Sequence, residues 1–159
     1  PNSGFRESNF DIAEVEKELR AQIEIALREI KNVTHMTGHM GTSGATPELR
    51  ALVQKLSKEY NLPTGAPGAG RTGRFPQGAS PSEKVDTMVE ILENLKPGTY
   101  LFVEHPGLDT SEMRSIGRKG CRDVAIDREG VTQAFTSERV KAVVEKRGIK
   151  LVSYGDLNK

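Results

Sequence analysis

Much of what would mark an obvious function is missing from this chain. Its single cysteine, Cys121, cannot form an internal disulfide and has no partners for a Cys-rich zinc site, so it reads as a buried or half-buried thiol. No run reaches the ~20 apolar residues that cross a bilayer core, so no membrane partner is expected. Charge of neither sign dominates: 23 basic and 22 acidic residues leave +1, whereas a nucleic-acid surface gathers a basic excess on one face. No short repeat or coiled-coil heptad is present. The 159 residues, 35% hydrophobic and 28% charged, lie in the globular range and suit a single domain, or the C-terminal part of one, over 1–159. The first residues, "PNSGFRES", lack a Met and read as the interior of a longer or processed protein, so an N-terminal segment is expected and localisation is left unassigned.

Periodicity supplies the elements. "DIAEVEKELRAQIEIALREIK" (11–31) predicts a helix with Ile12, Val15, Leu19, Ile23, Ala26, Leu27 and Ile30 on one buried stripe. Asp11 and Glu14 have the spacing of a capping box. "NVTHMTGH" (32–39) lacks helical period and predicts a strand. A helix over 46–60 is capped by Thr46, with Pro47 in its first turn. Helices are expected at 81–96, stopped by Pro97-Gly98, and at 137–147, capped by Thr136 or Ser137 and closed by Gly148. "DTSEMRSIGRKG" predicts a short helix and turn. Strands are expected at 99–105 ("TYLFVEH") and 149–154 ("IKLVSY"). Helix alternating with strand favours a parallel sheet covered by helices.

Residues 63–82 are so dense in Gly, Pro and Ser that no regular element is expected there. A loop of this length in a compact domain often serves function. Inside it "GAPGAGRT" (65–72) approaches the phosphate-binding pattern but has Arg71 where Lys is required, and no helix follows it. The loop reads instead as a lid on the substrate side, with Arg71 and Arg74 available to a sugar or anion.

The chain has three histidines. His35 and His39, four apart, would share a helix face, but the threonines and glycines between them disfavour a helix. On a strand they would lie ~13 Å apart, too far to share one ion unless Gly38 bends the chain. His39, at the strand's C-terminal end, is the better site residue, because active sites collect there in parallel α/β folds. His35 would lie deeper. His105 also ends a strand, before a Pro106-Gly107 turn, with Glu104 pointing to the opposite face. It suits a general acid or base. From these residues alone, a two-histidine site and a pair of hydrogen-bonded strand-end histidines stand level.

"NVTHMTGHMGT", "GTYLFVEHPG" and "DREGVTQAFTSERVKAVVEKRGIKLVSYGDL", in that order, resemble the C-terminal half of the YdjC-like carbohydrate deacetylases over about residues 11–157. The resemblance implies a (β/α) barrel of the polysaccharide-deacetylase type, here an incomplete barrel lacking its N-terminal strands. It also implies metal-dependent removal of N-acetyl groups from amino-sugar oligosaccharides. His39 would match a ligand of a divalent metal, Mg or Zn. His105 would match the acid that protonates the leaving amine, and His35 a residue behind the site. Relatives often read H-x-H where this chain has His39-Met40-Gly41, and their N-terminal Asp-Asp motif and a further histidine have no counterpart here. Arg118, Arg122 and Arg128 are candidates for substrate or structural contacts. The open edge of a half-barrel also predicts a covering segment or a homo-oligomer. The alternative is a non-catalytic carbohydrate-binding or interaction fragment with the same fold.

Overall fold

The computed structural model describes residues 5, 9–66, 68–117 and 123–157. Cys121, Arg118 and Arg122 lie outside them. The chain divides into two compact units, residues 1–67 with 152–159, and residues 68–151.

In the first unit, α1 (Ile12–Glu29) begins at Asp11, whose carboxylate accepts the Ala13 N–H at 2.8 Å. The expected capping box is not completed, because Glu14 turns to Lys17, 2.5 Å away. Helix α2 (Pro47–Glu59) is capped by Thr46, whose hydroxyl accepts the Leu49 N–H. Ile23 of α1 is buried against Leu52, Leu56 and Leu62, with Val15, Leu19, Val33, Met36 and Tyr60 around them. The rest of the predicted α1 stripe is split: Val15, Leu19 and Ala26 are half-buried, whereas Ile12, Leu27 and Ile30 are exposed. A charged clasp flanks this core. Arg20 reaches Glu16 and Glu59, each at 2.7 Å, and Lys55 reaches Glu16 at 2.8 Å.

The second unit is built on α3 (Pro81–Asn94), α5 (Val124–Thr136) and α6 (Glu138–Lys146), with the short α4 (Ser111–Arg114) ahead of α5. Ser80 and Glu83 form a complete capping box at the start of α3. At its other end, Arg147 donates to the carbonyls of Leu92, Glu93 and Leu95. Gly148, at φ +62°, closes α6 as expected. Met88, Ala134 and Val140 form the core, flanked by Phe75, Val85, Val89, Leu92 and Phe102. Helix α5 escapes a periodicity reading because its inner face is made of small residues: Ala125, Gly130, Val131 and Ala134. At Gly130 a side chain would meet the Pro81 backbone at 3.1 Å and Lys84 at 3.0 Å, so glycine is what lets α3 and α5 approach this closely.

The strands are much shorter than expected. In the second unit β1 (Gly70–Arg71) pairs in parallel with β2 (Tyr100–Leu101). In the first, Met36 forms a single parallel bridge to Thr64, and its N–H donates to the Pro63 carbonyl at 2.9 Å. Residues 149–153 join no ladder among the described residues, Leu151 is 80% exposed, and Tyr154 opens the short α7 (Tyr154–Leu157). The architecture is therefore mixed and mostly helical with a small parallel sheet, and the described residues form no barrel. The physical reason is that a strand needs a neighbour. These segments have strand-like sequences, but few adjacent backbones satisfy their N–H and C=O groups.

The 63–82 segment also departs from expectation. It contains β1, and Phe75 packs edge-on against Phe102 with ring centroids 5.2 Å apart. Its middle is thus a packed part of the second unit and not a free lid. No helix follows Thr72 until α3 starts at Pro81, so the phosphate-binding geometry does not form.

Lys84 is 2% exposed. Its ammonium donates to the Asp127 carboxylate at 2.6 Å and to the Asp127 carbonyl at 2.7 Å, and lies 5.5 Å above the Phe75 ring. These partners offset the cost of burying a charge. Lys84→Ala, which also leaves a cavity, is expected to cost about 2–5 kcal/mol in urea unfolding. Lys84→Met should cost distinctly less, because it keeps the packed stem. Equal losses would mean that the ammonium, and not the stem, carries the stability.

In the α1–α2 clasp, hydrogen bonding to Lys55 and then Arg20 holds Glu16 below its ordinary pKa of 4.5, and Arg20 does the same for Glu59. Depressed folded values stabilise above the unfolded pKa, and that contribution disappears as pH falls through the folded values. The urea midpoint should therefore fall on acidification below about pH 4.5, by less in high salt and by less in a Glu16→Gln/Glu59→Gln variant. An unchanged pH dependence in that variant would remove these two carboxylates from the acid sensitivity.

Candidate active site

The histidines divide between the units: His35 and His39 in the first, His105 in the second. The segment carrying His35 and His39 stays extended only through Gly38 (φ −95°, ψ 127°) and then coils into a 3-10 turn, His39–Gly44. This corrects the expected strand over 32–39. Met40 (φ +53°) and Gly41 (φ +72°) are left-handed, a cost of about 1–3 kcal/mol at a non-glycine residue that the surrounding structure must sustain. Thr42 ties the turn by donating its hydroxyl to the His39 carbonyl at 2.8 Å. At Gly38 a Cβ would lie 2.3 Å from Ser43 Oγ and 2.5 Å from Ser43 Cβ, so the turn can close only on glycine.

His39 is exposed at the start of this turn, whereas His35 is half-buried. The His35 ring stacks on Tyr154, centroids 3.9 Å apart and 10° from parallel, and its Nδ1 lies 3.0 Å from Thr34 Oγ1. Both histidines line a cavity of about 790 Å³ whose walls are largely the apolar face of the first unit, including Leu19, Ile23, Leu49 and Leu56. The sequence places Tyr154 at the end of a strand, whereas it opens α7. Its pairing with His35, across most of the chain's length, has no local sequence signal.

His105 lies beyond the paired part of β2 and is exposed. Only Tyr100–Leu101 of the expected 99–105 strand is laddered. The turn after His105 is held from α5. The Gly107 N–H donates to Thr132 Oγ1 at 3.0 Å and to the Arg128 carbonyl at 3.3 Å, and the Thr132 hydroxyl donates to the Gly107 carbonyl at 2.6 Å. Two residues on, the Asp109 N–H donates to the Glu129 carboxylate at 3.1 Å. Arg114 grips the Asp109 carboxylate at 2.6 and 2.7 Å and holds it below the usual carboxylate range. A Cβ on Gly107 would sit 3.1 Å from Arg128 Cβ and 3.3 Å from Met113 Cε. No local sequence pattern marks Thr132 or Glu129 as part of this turn.

Arg71 and Arg74 are exposed, Arg128 is half-buried against Gly107, and none of the three forms an ion pair among the described residues. Among those residues no group of three or more His, Cys, Asp or Glu side chains gathers as a metal site. A catalytic zinc centre takes about three protein ligands. The donor set described here therefore does not fit the implied divalent ion without further donors.

Gly38→Ala should lower the unfolding midpoint by an amount corresponding to about 1–3 kcal/mol, and adding Ser43→Gly should recover most of it. Thermal unfolding followed by circular dichroism reads both. No recovery in the double variant would mean that the Ser43 side chain is not the obstacle.

No curated protein matches the chain. A crystal structure of an Enterococcus faecalis protein named for cellobiose-phosphate cleavage shares its fold, with a TM-score of 0.67 at 18% identity over 94% of this chain. The chain spans 62% of that protein's length. A family model described as YdjC-like protein matches residues 2–146, a span that holds all three histidines. The chain belongs to the YdjC-like protein family.

Proposed function

We propose that this chain is part of a hydrolase that removes N-acetyl groups from amino-sugar oligosaccharides. The observation that carries the reading is the His105–Pro106–Gly107 turn: an exposed imidazole beyond a parallel strand, on a backbone fastened to α5. Family membership supports it, since the family is carbohydrate-related and of hydrolase or deacetylase type. The name of the Enterococcus faecalis neighbour also concerns a sugar substrate.

In amide hydrolysis, water adds to the acetyl carbonyl, the C–N bond then breaks, and acetate and a free amine leave. The nitrogen must gain a proton as that bond breaks, because an amide anion is too basic to depart. Imidazole is the side chain suited to giving a proton near neutral pH, and His105 is proposed as that donor. Arg71, Arg74 and Arg128 are proposed to hold the oligosaccharide through their free guanidinium donors. A divalent ion, Mg or Zn, would polarise the carbonyl when bound. His39 is proposed as one ligand, with the remaining donors coming from outside the described residues, and His35 supports it from behind.

A second reading, a carbohydrate-binding or interaction module without turnover, is favoured by the absence of a three-donor cluster among the described residues. The two separate on one experiment. The full-length protein should release acetate from N-acetylglucosamine oligomers. His105→Ala should cut kcat by about 10²–10⁴ while metal content is unchanged, and His39→Ala should lower metal content. Oligosaccharide binding with no acetate release under any metal would establish the binding module instead.

A further inference from the structure

The turn after His105 poses a question of position. The His105 imidazole is exposed and makes no hydrogen bond, ion pair or ring contact among the described residues. No side-chain partner therefore sets where the ring stands. Its place depends on its backbone, and that backbone is unladdered from Phe102 onward.

Two features restrict the backbone locally. Pro106 has a fixed φ and no N–H, and the residue before a proline is confined to extended conformations. Neither anchors the turn to the rest of the unit. The main anchor is Thr132, beside the longer Gly107 N–H contact to the Arg128 carbonyl at 3.3 Å and the Asp109 N–H contact to Glu129 at 3.1 Å. Its single hydroxyl accepts the Gly107 N–H at 3.0 Å and donates to the Gly107 carbonyl at 2.6 Å, so it engages both polar groups of one residue. The alternative acceptor for its proton, the Arg128 carbonyl one turn back on the same helix, is farther at 3.2 Å. The hydroxyl therefore gives its proton to the turn and not to its own helix. Glycine at position 107 eases the closure, since a Cβ there would crowd the Arg128 stem at 3.1 Å and Met113 Cε at 3.3 Å. Val131, next to Thr132, is 1% exposed, so the helix at the clamp is packed into the core.

We infer that Thr132 is a positioning residue for the reaction: through Gly107 it sets where the His105 imidazole stands relative to the scissile amide. This rests on the reading of His105 as the proton donor. It adds a residue that touches neither substrate nor the reacting atoms, and whose loss should be felt in turnover more than in binding. Misplacing a catalytic group by about 1 Å can cost up to about 10² in rate.

The test uses the full-length protein with Thr132→Val, which keeps the shape and removes the hydroxyl, and Thr132→Ser, which keeps the hydroxyl. Three quantities are read: hydrogen exchange of the Gly107 amide, the NMR resonances of the His105 ring, and kcat and KM for acetate release. The expected result for Thr132→Val is at least about tenfold faster Gly107 exchange, a shifted His105 ring signal, and kcat lower by about 10–10² with KM unchanged, all three restored in Thr132→Ser. If the valine variant does not fold, Thr132→Ala carries the same comparison. Unchanged Gly107 exchange overturns the clamp. Faster exchange with unchanged kcat, when His105→Ala is inactive, overturns the positioning role and leaves the function standing. If His105→Ala keeps full activity, the proposed function of His105 falls, and with it Thr132's role in the reaction, while the exchange data still report the clamp by itself.

Discussion

Lys84 is the point on which the second unit turns. A lysine placed almost wholly out of water must be met by partners, and it finds them on α5: the carbonyl and carboxylate of Asp127, with the Phe75 ring beneath. The contact is possible because Gly130, one turn along, offers no side chain to keep Pro81 and Lys84 away. Once α5 is seated on α3, its other side presents Arg128, Glu129 and Thr132 to the segment that follows β2. The position of the His105 turn is thus set by a helix pair whose close approach rests on Gly130 and on the buried Lys84 side chain.

The first unit solves a similar problem by other means. Its histidines stand on a segment with one parallel bridge, at Met36, and order comes from a tight turn instead of a ladder. Gly38 lets Ser43 fold back, Thr42 ties the His39 carbonyl, and a left-handed Met40 is accepted as the cost. His35 is held differently, by ring stacking on Tyr154 from the end of the chain. A histidine with its ring stacked and one nitrogen near Thr34 is a restrained group, and an exposed histidine at the mouth of a turn is an available one. That contrast, and not sequence spacing, separates the roles given to His35 and His39.

The long glycine-rich segment shows how composition misleads. Its glycines and prolines argue against any regular element, yet Gly70 and Arg71 pair with Tyr100 and Leu101, and Phe75 enters the core beside Phe102. Two backbone residues need only a parallel neighbour at the right distance, and one aromatic ring needs only an apolar hollow. Arg71 and Arg74 remain exposed there.

Several features were legible from the residues alone. The helices over 12–29, 47–59, 81–94 and 138–146 follow from apolar spacing, and ends at Asp11, Thr46 and Gly148 from their residue types, because helix formation and capping are local: the partners lie within four residues. The family was legible too, since its motifs are short words in a fixed order. Tertiary structure alone decided the rest. It decided that the strand-like segments make almost no sheet, since a ladder depends on which backbone lies alongside. It showed α5 as a helix, because small residues give no apolar stripe until α3 packs on them. It also joined His35 to Tyr154 and Gly107 to Thr132, contacts between distant residues whose chemistry in sequence is only that of an ordinary aromatic ring and an ordinary hydroxyl.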